Sequence, residues 1–519
     1  MSATGARPAS WAAHPLVLSR RVRELGVLGL SIAVPLVLGL AISVQFTEPS
    51  VVVLIAVALG AAGVIALLLS PRYEVTLAIV ALYLGLLEGT AKLRFGSHEL
   101  GSALRDLLIF AVSLGAFLRL IVSRQRLRLP PLSGWVIAFV ALVLVEAFNP
   151  MTVNLTKALG GFRQQLEWIP FFFFGYAIMR SKDRFRKLFL VLGVVALANG
   201  LMSTYQTRLS PAQLASWGPG YRELVFGSNG LGGRTFRSEG SSHVRPPGLG
   251  TDAGFAGGVG VVALAPTLAL LAVGGMRRRW PLALLCLGAM LAVATGLGRL
   301  QVVGAVFAVL LFAVLSFTAG RSVTKPLAAV LGILVLAVPT AAIVTSIAGS
   351  GTFGRYASLD PTKLSSNKDN KISSLRLIPG ELEAAPLGVG LASVGAAGGF
   401  GGKNTNLVNG HGVSAETQYN FISDELGLPG LLLWVALTIE LLVLGLRGLP
   451  RIADVELRIY LSAVFATFIA FTFIGLSGPT MSSAAFGPFF WFTVGIAAYW
   501  FAGPGRVSRS DGSPAPGSS

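Results

Sequence analysis

Three arginines and two possible proton acceptors stand out from an otherwise apolar chain. Arg245 begins the sequence Arg-Pro-Pro-Gly, Arg299 ends the turn Thr-Gly-Leu-Gly-Arg, and Arg376 lies in a long polar insert. The same insert contains His411, in a Gly-rich stretch, and Glu416. Guanidinium groups bind phosphate oxygens in pairs and stay charged when water is removed, whereas a carboxylate or imidazole can accept a proton. These residue types favour transfer chemistry on a substrate that carries a diphosphate.

Arg299 has the most unusual surroundings of the three arginines. It lies between two apolar stretches, 280–298 and 301–318. An arginine at membrane depth is costly, which favours a functional role, and the alternative is that it anchors a helix hairpin at the headgroup level. Arg245 and Arg376 have another alternative, because exposed loop arginines are common.

A short helix is predicted over 415–426, within the polar insert. Glu416, Asn420 and Ser423 are spaced i, i+4 and i+7, which places them on one polar face of that helix. The packing face would consist of Tyr419, Ile422 and Leu426. Gly427 is a natural helix stop, and the proline two residues later prevents continuation. The pattern therefore predicts that Glu416 is held just above the membrane.

The composition predicts an all-α polytopic membrane protein. Mean hydropathy is +0.72, with 53% hydrophobic and only 12% charged residues. Runs of about 18 or more apolar residues recur, which is the length that crosses a bilayer as a helix. Twelve to fourteen spans are expected. The fourteen candidates lie at about 25–44, 51–69, 73–89, 104–122, 133–149, 166–180, 187–206, 254–275, 280–298, 301–318, 326–348, 428–447, 457–476 and 484–502.

The distribution of Lys and Arg predicts the orientation of these spans. With the N-terminus in the cytoplasm, the short inside loops are rich in cations, as the positive-inside rule requires. Both termini are then cytoplasmic, and the net charge of +18 needs no nucleic-acid partner. The predicted layout is a leader (1–24), spans one to seven (25–206), an extracytoplasmic loop (207–253), spans eight to eleven (254–348), a large extracytoplasmic catalytic loop (349–427), spans twelve to fourteen (428–502) and a disordered tail (503–519).

Four short motifs, in their order along the chain, resemble the O-antigen ligase and polymerase family of bacterial inner-membrane enzymes. Arg245–Gly248 is similar to the family's Arg-Pro-x-Gly element, and Thr295–Arg299 to its Thr-x-Ser-Arg turn. Arg376 followed by Pro386–Gly390 resembles its Arg…Pro-Leu-x-Gly-x-Gly segment. Glu425–Gly430 matches its Glu-x-Gly-x-x-Gly. The resemblance extends from about the fifth predicted span to the end of the chain.

The motifs also depart from the family pattern. Asp252-Ala-Gly stands where Asn-Pro-Asn is usual, and Gly298 replaces a serine. Ligases usually have His-Asn nine residues before the glutamate of the last motif, where this chain has Glu416-Thr417. The polymerase branch of the family does not require that histidine.

The resemblance implies a glycosyltransferase that polymerises undecaprenyl-diphosphate-linked repeat units on the extracytoplasmic face of the bacterial inner membrane. Arg245 and Arg299 would bind the diphosphate with help from Arg376. Glu416 or His411 would serve as the proton acceptor beside a catalytic Arg299. Membrane lipids and a chain-length regulator or other assembly proteins are the expected partners. No cofactor or metal is expected, since the chain has no Asp-x-Asp pair.

Three alternatives remain open from the sequence. A ligase would move finished glycan to a final acceptor with the same chemistry. A flippase of lipid-linked oligosaccharides would place its charges along a central path, often with repeat-related broken helices. A structural membrane protein would leave Arg299 and the motif order unexplained.

Overall fold

The computed structural model describes part of the chain. The described residues are 73–96, 105–106, 108–110, 113–115, 129–152, 154–228, 231–232, 235–238, 241–274, 279–319, 340, 342–344, 346, 356, 371–395, 397, 407–408, 411–412, 417–481 and 483–506. The predicted leader, the first two spans, most of the fourth and eleventh spans, Glu416 and most of the tail lie outside these residues.

Helices dominate the described residues, with three very short hairpins between them. The helices are α1 (Tyr73–Leu82), α2 (Glu88–Phe95), α3 (Ser133–Glu146), α4 (Leu155–Leu166), α5 (Pro170–Ile178), α6 (Lys182–Gln206), α7 (Pro211–Ala215), α8 (Pro219–Phe226), α9 (Phe255–Val273), α10 (Arg279–Thr295), α11 (Arg299–Ala319), α12 (Ile378–Ala384), α13 (Gln418–Gly448), α14 (Val455–Gly475) and α15 (Gly487–Trp500). The antiparallel strand pairs are β1 (Gly227–Ser228) with β2 (Leu231–Gly232), β3 (Thr235–Ser238) with β4 (Ser241–Val244), and β5 (Leu407–Val408) with β6 (His411–Gly412).

Five described helices are long and apolar enough to cross a membrane, which indicates a membrane protein. They cover Lys182–Gln206, Phe255–Val273, Arg299–Phe317, Gln418–Arg451 and Val455–Gly475. Two shorter apolar helices, α3 and α10, match the predicted fifth and ninth spans within a few residues. The described residues therefore give fewer long helices than the predicted twelve to fourteen spans.

Two predicted spans differ from the observed helices. The span predicted over 166–180 contains a helix of only nine residues, α5 (Pro170–Ile178), and the preceding helix α4 ends at Leu166. The span predicted over 73–89 continues to Phe95 through a π-helical turn at Tyr83–Leu87. The apolar pattern of the sequence does not reveal where one helix ends and the next begins, so it does not predict these ends.

Small residues let the apolar helices approach closely. A Cβ at Gly200 of α6 would lie 2.4 Å from the carbonyl oxygen of Gly288 in α10. A Cβ at Gly260 of α9 would lie 2.7 Å from the carbonyl oxygen of Ala289. Close backbone contact of this kind drives helix association in lipid, where apolar surface gains little from leaving the lipid tails.

The described residues fall into two compact units, one with residues 73–80 and the described positions of 99–129, the other with 81–96 and 130–506. The second unit is a helix bundle with two distinct ends. At the end that we call the insert end, α6 and α14 finish while α11 and α13 begin, so that Gly304 of α11 approaches Ile474 of α14. At the opposite end, Lys182 binds Asp454 at 3.1 Å.

Candidate functional site

The Arg245 loop is fixed at the insert end by two side chains of α6. Gln206 makes a pair of hydrogen bonds with Gly248: its Nε2 donates to the carbonyl oxygen at 2.9 Å, and its Oε1 accepts from the amide at 2.8 Å. Asn199 Oδ1 accepts from the Leu249 amide at 3.0 Å. Gly248 has a φ of +66°, where a Cβ would also approach Asn199. The side chains of Gln206 and Asn199 therefore hold the loop that carries Arg245, in a backbone conformation that glycine at position 248 allows.

The Arg299 turn lies next to this loop. Thr295, the last residue of α10, shares a hydrogen bond with the Ser203 hydroxyl of α6. Leu297 is fully buried at a φ of +51°, an uncommon value for a residue with a side chain. Gly296 is so close to α9 that a Cβ would lie 2.6 Å from the Gly257 amide. A tight turn thus brings Arg299 to the start of α9.

Two helix starts meet at this place. A Cβ at Gly254, directly before α9, or at Gly257 would lie 3.2 Å from the Gln301 side chain in the first turn of α11. The N-terminus of a helix carries partial positive charge and unbonded amides, which favour anions. Arg245 and Arg299 are both half-buried here. The arrangement suits an anion with several oxygens, such as a diphosphate. We call these residues the arginine cluster: Arg245–Gly248, Gly254, Gly257, Thr295–Arg299 and Gln301.

A second polar group of residues lies at the beginning of α13. Glu425 is fully buried and accepts hydrogen bonds from Gln164 at 3.0 Å, from Gln165 at 2.6 Å and from the Val394 amide at 3.4 Å. Because a buried carboxylate needs donors, this one fixes the segment around Val394 against α4. Gln164 Oε1 in turn accepts from the Ala397 amide at 3.2 Å.

The two glycine motifs of the insert pack against each other. The Val389 amide donates to the Asp424 carbonyl at 2.7 Å, and the Leu428 amide donates to the Pro386 carbonyl at 2.9 Å. Gly388 has a φ of +92° and Gly427 a φ of +62°, which lets the two backbones touch. Gly427 interrupts the helical geometry of α13, as the sequence predicted, but α13 continues beyond it to Gly448.

Asn420 connects α13 to the short helix α12. Its Nδ2 donates to Glu381 Oε2 at 3.1 Å and to the Ser374 carbonyl at 3.0 Å. Its Oδ1 accepts from the Ser374 hydroxyl at 3.0 Å and from the Thr417 hydroxyl at 2.6 Å. Ser423 also lies within 3.5 Å of Glu381 Oε2. Two residues of the predicted polar face, Asn420 and Ser423, are described, and both side chains contact Glu381 of α12.

The Glu381 carboxyl also faces that of Asp424, which is 3% exposed. Burial raises the pKa of Glu381 above its usual range, although hydrogen bonds from Asn420, Asp424 and Ser423 oppose the shift. No N–H or O–H group of the described residues donates to Asp424 Oδ2. We call Ser374, Glu381, Asn420, Ser423 and Asp424 the carboxyl cluster.

One loop touches elements of both clusters. The Met481 amide donates to the Gln418 side chain at 2.7 Å, at the start of α13. A Cβ at Gly258 of α9 would lie 3.0 Å from Ala485. The segment between α14 and α15 therefore runs from the helix that carries the carboxyl cluster to the helix beside Arg299.

The structure places the predicted site residues unevenly. Arg245 and Arg299 are brought to one end of the bundle, whereas Arg376 is exposed in a 3-10 helix, Lys371–Leu377, directly before α12. His411 pairs with Val408 in the β5–β6 hairpin, and its side chain lies outside the described part. Glu416 lies outside it altogether.

Sequence reasoning missed Glu381. The sequence around Glu381 has a proline at the start of α12 and an acidic residue in the first turn. This pattern is common at helix starts and does not by itself indicate a functional residue. Among the described residues, no group of three or more His, Cys, Asp or Glu side chains is arranged to hold a metal ion. Comparison of the chain with protein-family models and with curated proteins finds no match.

Proposed function

We propose that this protein is a membrane glycosyltransferase that polymerises undecaprenyl-diphosphate-linked oligosaccharide repeat units. The observation that carries the proposal is the arginine cluster, in which two half-buried arginines accompany two helix starts at one end of an apolar helix bundle. The resemblance of the four motifs to O-antigen polymerases and ligases supports the same activity.

Glycosyl transfer from a diphosphate needs positive charge beside the leaving group, and the arginine cluster provides it. As the bond between the sugar C1 and the diphosphate breaks, its electron pair leaves with the diphosphate oxygen. Arg245 and Arg299, with the helix starts beside them, compensate this growing charge. A hydroxyl of the acceptor sugar forms the new bond to C1 and loses its proton to a nearby base. Arg376, on the exposed 3-10 helix, is suited to contact the glycan or diphosphate from the solvent side.

The charge distribution supports an extracytoplasmic position of the insert end in a bacterial inner membrane. The short connections at the opposite end are rich in cations, as expected for a cytoplasmic face. These cations are Arg180, Lys182, Arg184, Arg186, Arg447, Arg451 and Arg458. Lipid-linked glycan would then enter from the outer leaflet, and a chain-length regulator would bind beside the bundle.

The test uses the purified full-length protein in lipid nanodiscs with a synthetic undecaprenyl-diphosphate oligosaccharide. We expect wild type to join repeat units, and Arg245→Ala and Arg299→Ala each to lower turnover by roughly 100-fold or more. Arg222→Ala is the matched control, because Arg222 is an exposed arginine of α8 in the same loop region. Full activity of Arg299→Ala would contradict the role of the arginine cluster.

A cellular measurement separates the related functions. Deletion of a polymerase leaves single repeat units on the lipid carrier, whereas deletion of a ligase leaves full polymer on it. Units that remain protected from an external glycosidase indicate a flippase and would overturn the proposal.

A further inference from the structure

We infer that Glu381, oriented by Asn420 and facing the buried carboxyl of Asp424, accepts the proton of the acceptor-sugar hydroxyl. The inference rests on the proposed glycosyl transfer and names the base of that reaction. It assigns this role to a residue outside the four motifs, in place of Glu416 or His411.

The Glu381 carboxyl is held in one orientation. Asn420 donates to its Oε2 at 3.1 Å, and the amide of Asn420 cannot flip without losing its bonds to Ser374 and Thr417. Thr417 is fixed in turn, because its hydroxyl accepts from the Asn420 backbone amide at 3.1 Å as the N-cap of α13. A base needs such a fixed direction to meet a hydroxyl within hydrogen-bond reach.

Asp424 brings a second, buried carboxyl group to Glu381. Asp424 is only 3% exposed, and its Oδ2 receives no donor from the described residues. A buried carboxylate oxygen without a donor is costly, and two facing carboxyl groups reduce that cost by sharing one proton. The pair then carries one negative charge and retains capacity for a second proton. A sugar hydroxyl can donate to this pair at Glu381, the more exposed of the two carboxyl groups.

Glu381 is also accessible from solvent. Glu381 is only half-buried, and Arg376 and Leu387, which lie shortly before and after α12 in the chain, are exposed. A glycan can therefore reach Glu381 from solvent while Asp424 stays covered. The other carboxylate nearby, Glu425, is occupied by Gln164, Gln165 and the Val394 amide. Burial also raises the pKa of Glu381, which makes its carboxylate a stronger base.

Glu381 and Asp424 account for the proton that the acceptor hydroxyl loses. The acceptor oxygen bonds to C1, the C1–oxygen bond to the diphosphate breaks, and the electron pair leaves on the diphosphate. The hydroxyl proton moves to Glu381, so that both carboxyl groups are protonated. Glu381 returns one proton to water at its exposed edge before the next cycle.

The experiment measures kcat, KM and the pH profile of kcat for the full-length protein with the synthetic donor. We expect Glu381→Gln to lower kcat by roughly 100-fold or more with KM and binding of undecaprenyl diphosphate unchanged. The acidic limb of the pH profile should disappear in this variant. Asp424→Asn, a change in a positioning residue, should move that limb. Glu383→Gln is the matched control, an exposed carboxylate on the same helix.

Each outcome has a distinct meaning. Unchanged kcat and pH profile in Glu381→Gln, while wild type polymerises, overturn the inference and leave the proposed function standing. No transfer by wild type overturns both. If the variant does not fold, a wild-type kcat that is constant from pH 5 to 9 still contradicts a carboxylate base. Activity that is lost on chelation and restored by Mg²⁺ would show instead that the pair binds a divalent cation.

Discussion

The arginine cluster and the carboxyl cluster lie at the same end of the bundle but are built in different ways. In the arginine cluster, glycines with positive φ and close helix contacts shape the backbone, and Gln206 and Asn199 secure it. In the carboxyl cluster, side chains from separate segments satisfy one another, with Asn420 and Glu381 at the centre. Backbone conformation alone can build a site for an anion whose charge does not change. Proton transfer needs a hydrogen-bonded network of side chains, because the network sets which carboxyl group is protonated.

The largest effect should come from a methyl group where the two glycine motifs of the insert touch, because there the region of the carboxyl cluster also depends on backbone contact. In Gly427→Ala the Cβ would lie 2.4 Å from the Pro386 carbonyl oxygen, and the φ of 62° with ψ of −158° is accessible essentially to glycine alone. We expect a loss of about 3 kcal/mol or more. Thermal unfolding in detergent measures it. Gly380→Ala, in open space on α12, should be neutral or stabilising; equal losses in both variants would refute the contact.

The second test compares the polar anchors of the two regions. Glu425→Ala leaves three buried donors without their acceptor, whereas Gln206→Ala frees only the two backbone groups of Gly248. We expect losses of about 3 and about 2 kcal/mol, respectively. Unfolding midpoints of both variants in the same detergent give the order. A larger loss of stability in Gln206→Ala than in Glu425→Ala would contradict the expectation that the region around the carboxyl cluster depends more on side chains than the arginine cluster does.

The third test is the pH dependence of stability. The pKa of Glu381 is raised by burial, so folding favours its protonated form. The related stability is complete below the unfolded-chain pKa of about 4.3 and is lost as pH rises through the folded-state pKa. We therefore expect the unfolding midpoint to fall over that interval in wild type. Glu381→Gln should flatten the change and Glu383→Gln should retain it; an unchanged slope in Glu381→Gln would contradict the assignment.

The smallest effect should come from the opposite end. Lys182 and Asp454 are 47% and 44% exposed, so their ion pair is weakened by solvent. We expect Lys182→Ala to cost less than about 0.5 kcal/mol. Asp454→Ala should cost about 1 kcal/mol, because Asp454 also caps α14 through the Leu457 amide at 3.1 Å. Asp454→Asn, which keeps the cap, provides the comparison in the same unfolding assay.

Local features were predictable because they depend on neighbouring residues. The apolar runs gave α6, α9, α11 and α14 within a few residues of their observed ends. Gly427 was recognised as an interruption, and Asn420 and Ser423 were placed on one face of their helix. Arg299 stands out in the sequence because an arginine within apolar sequence is costly without a role, and Arg245 because it begins the sequence Arg-Pro-Pro-Gly.

The sequence alone therefore determined the apolar helices and the glycine-containing turns that carry two arginines. The length of an apolar run, and the backbone conformations that a glycine allows, are properties of short stretches of sequence. Only the tertiary structure decided that these turns meet beside the start of α9, and that Glu381 faces Asp424 across two helices. Helix periodicity says which side of a helix is polar, but it does not say which distant segment packs against that side. The protonation of a carboxyl group depends on that partner, because burial and a facing carboxyl group set its charge.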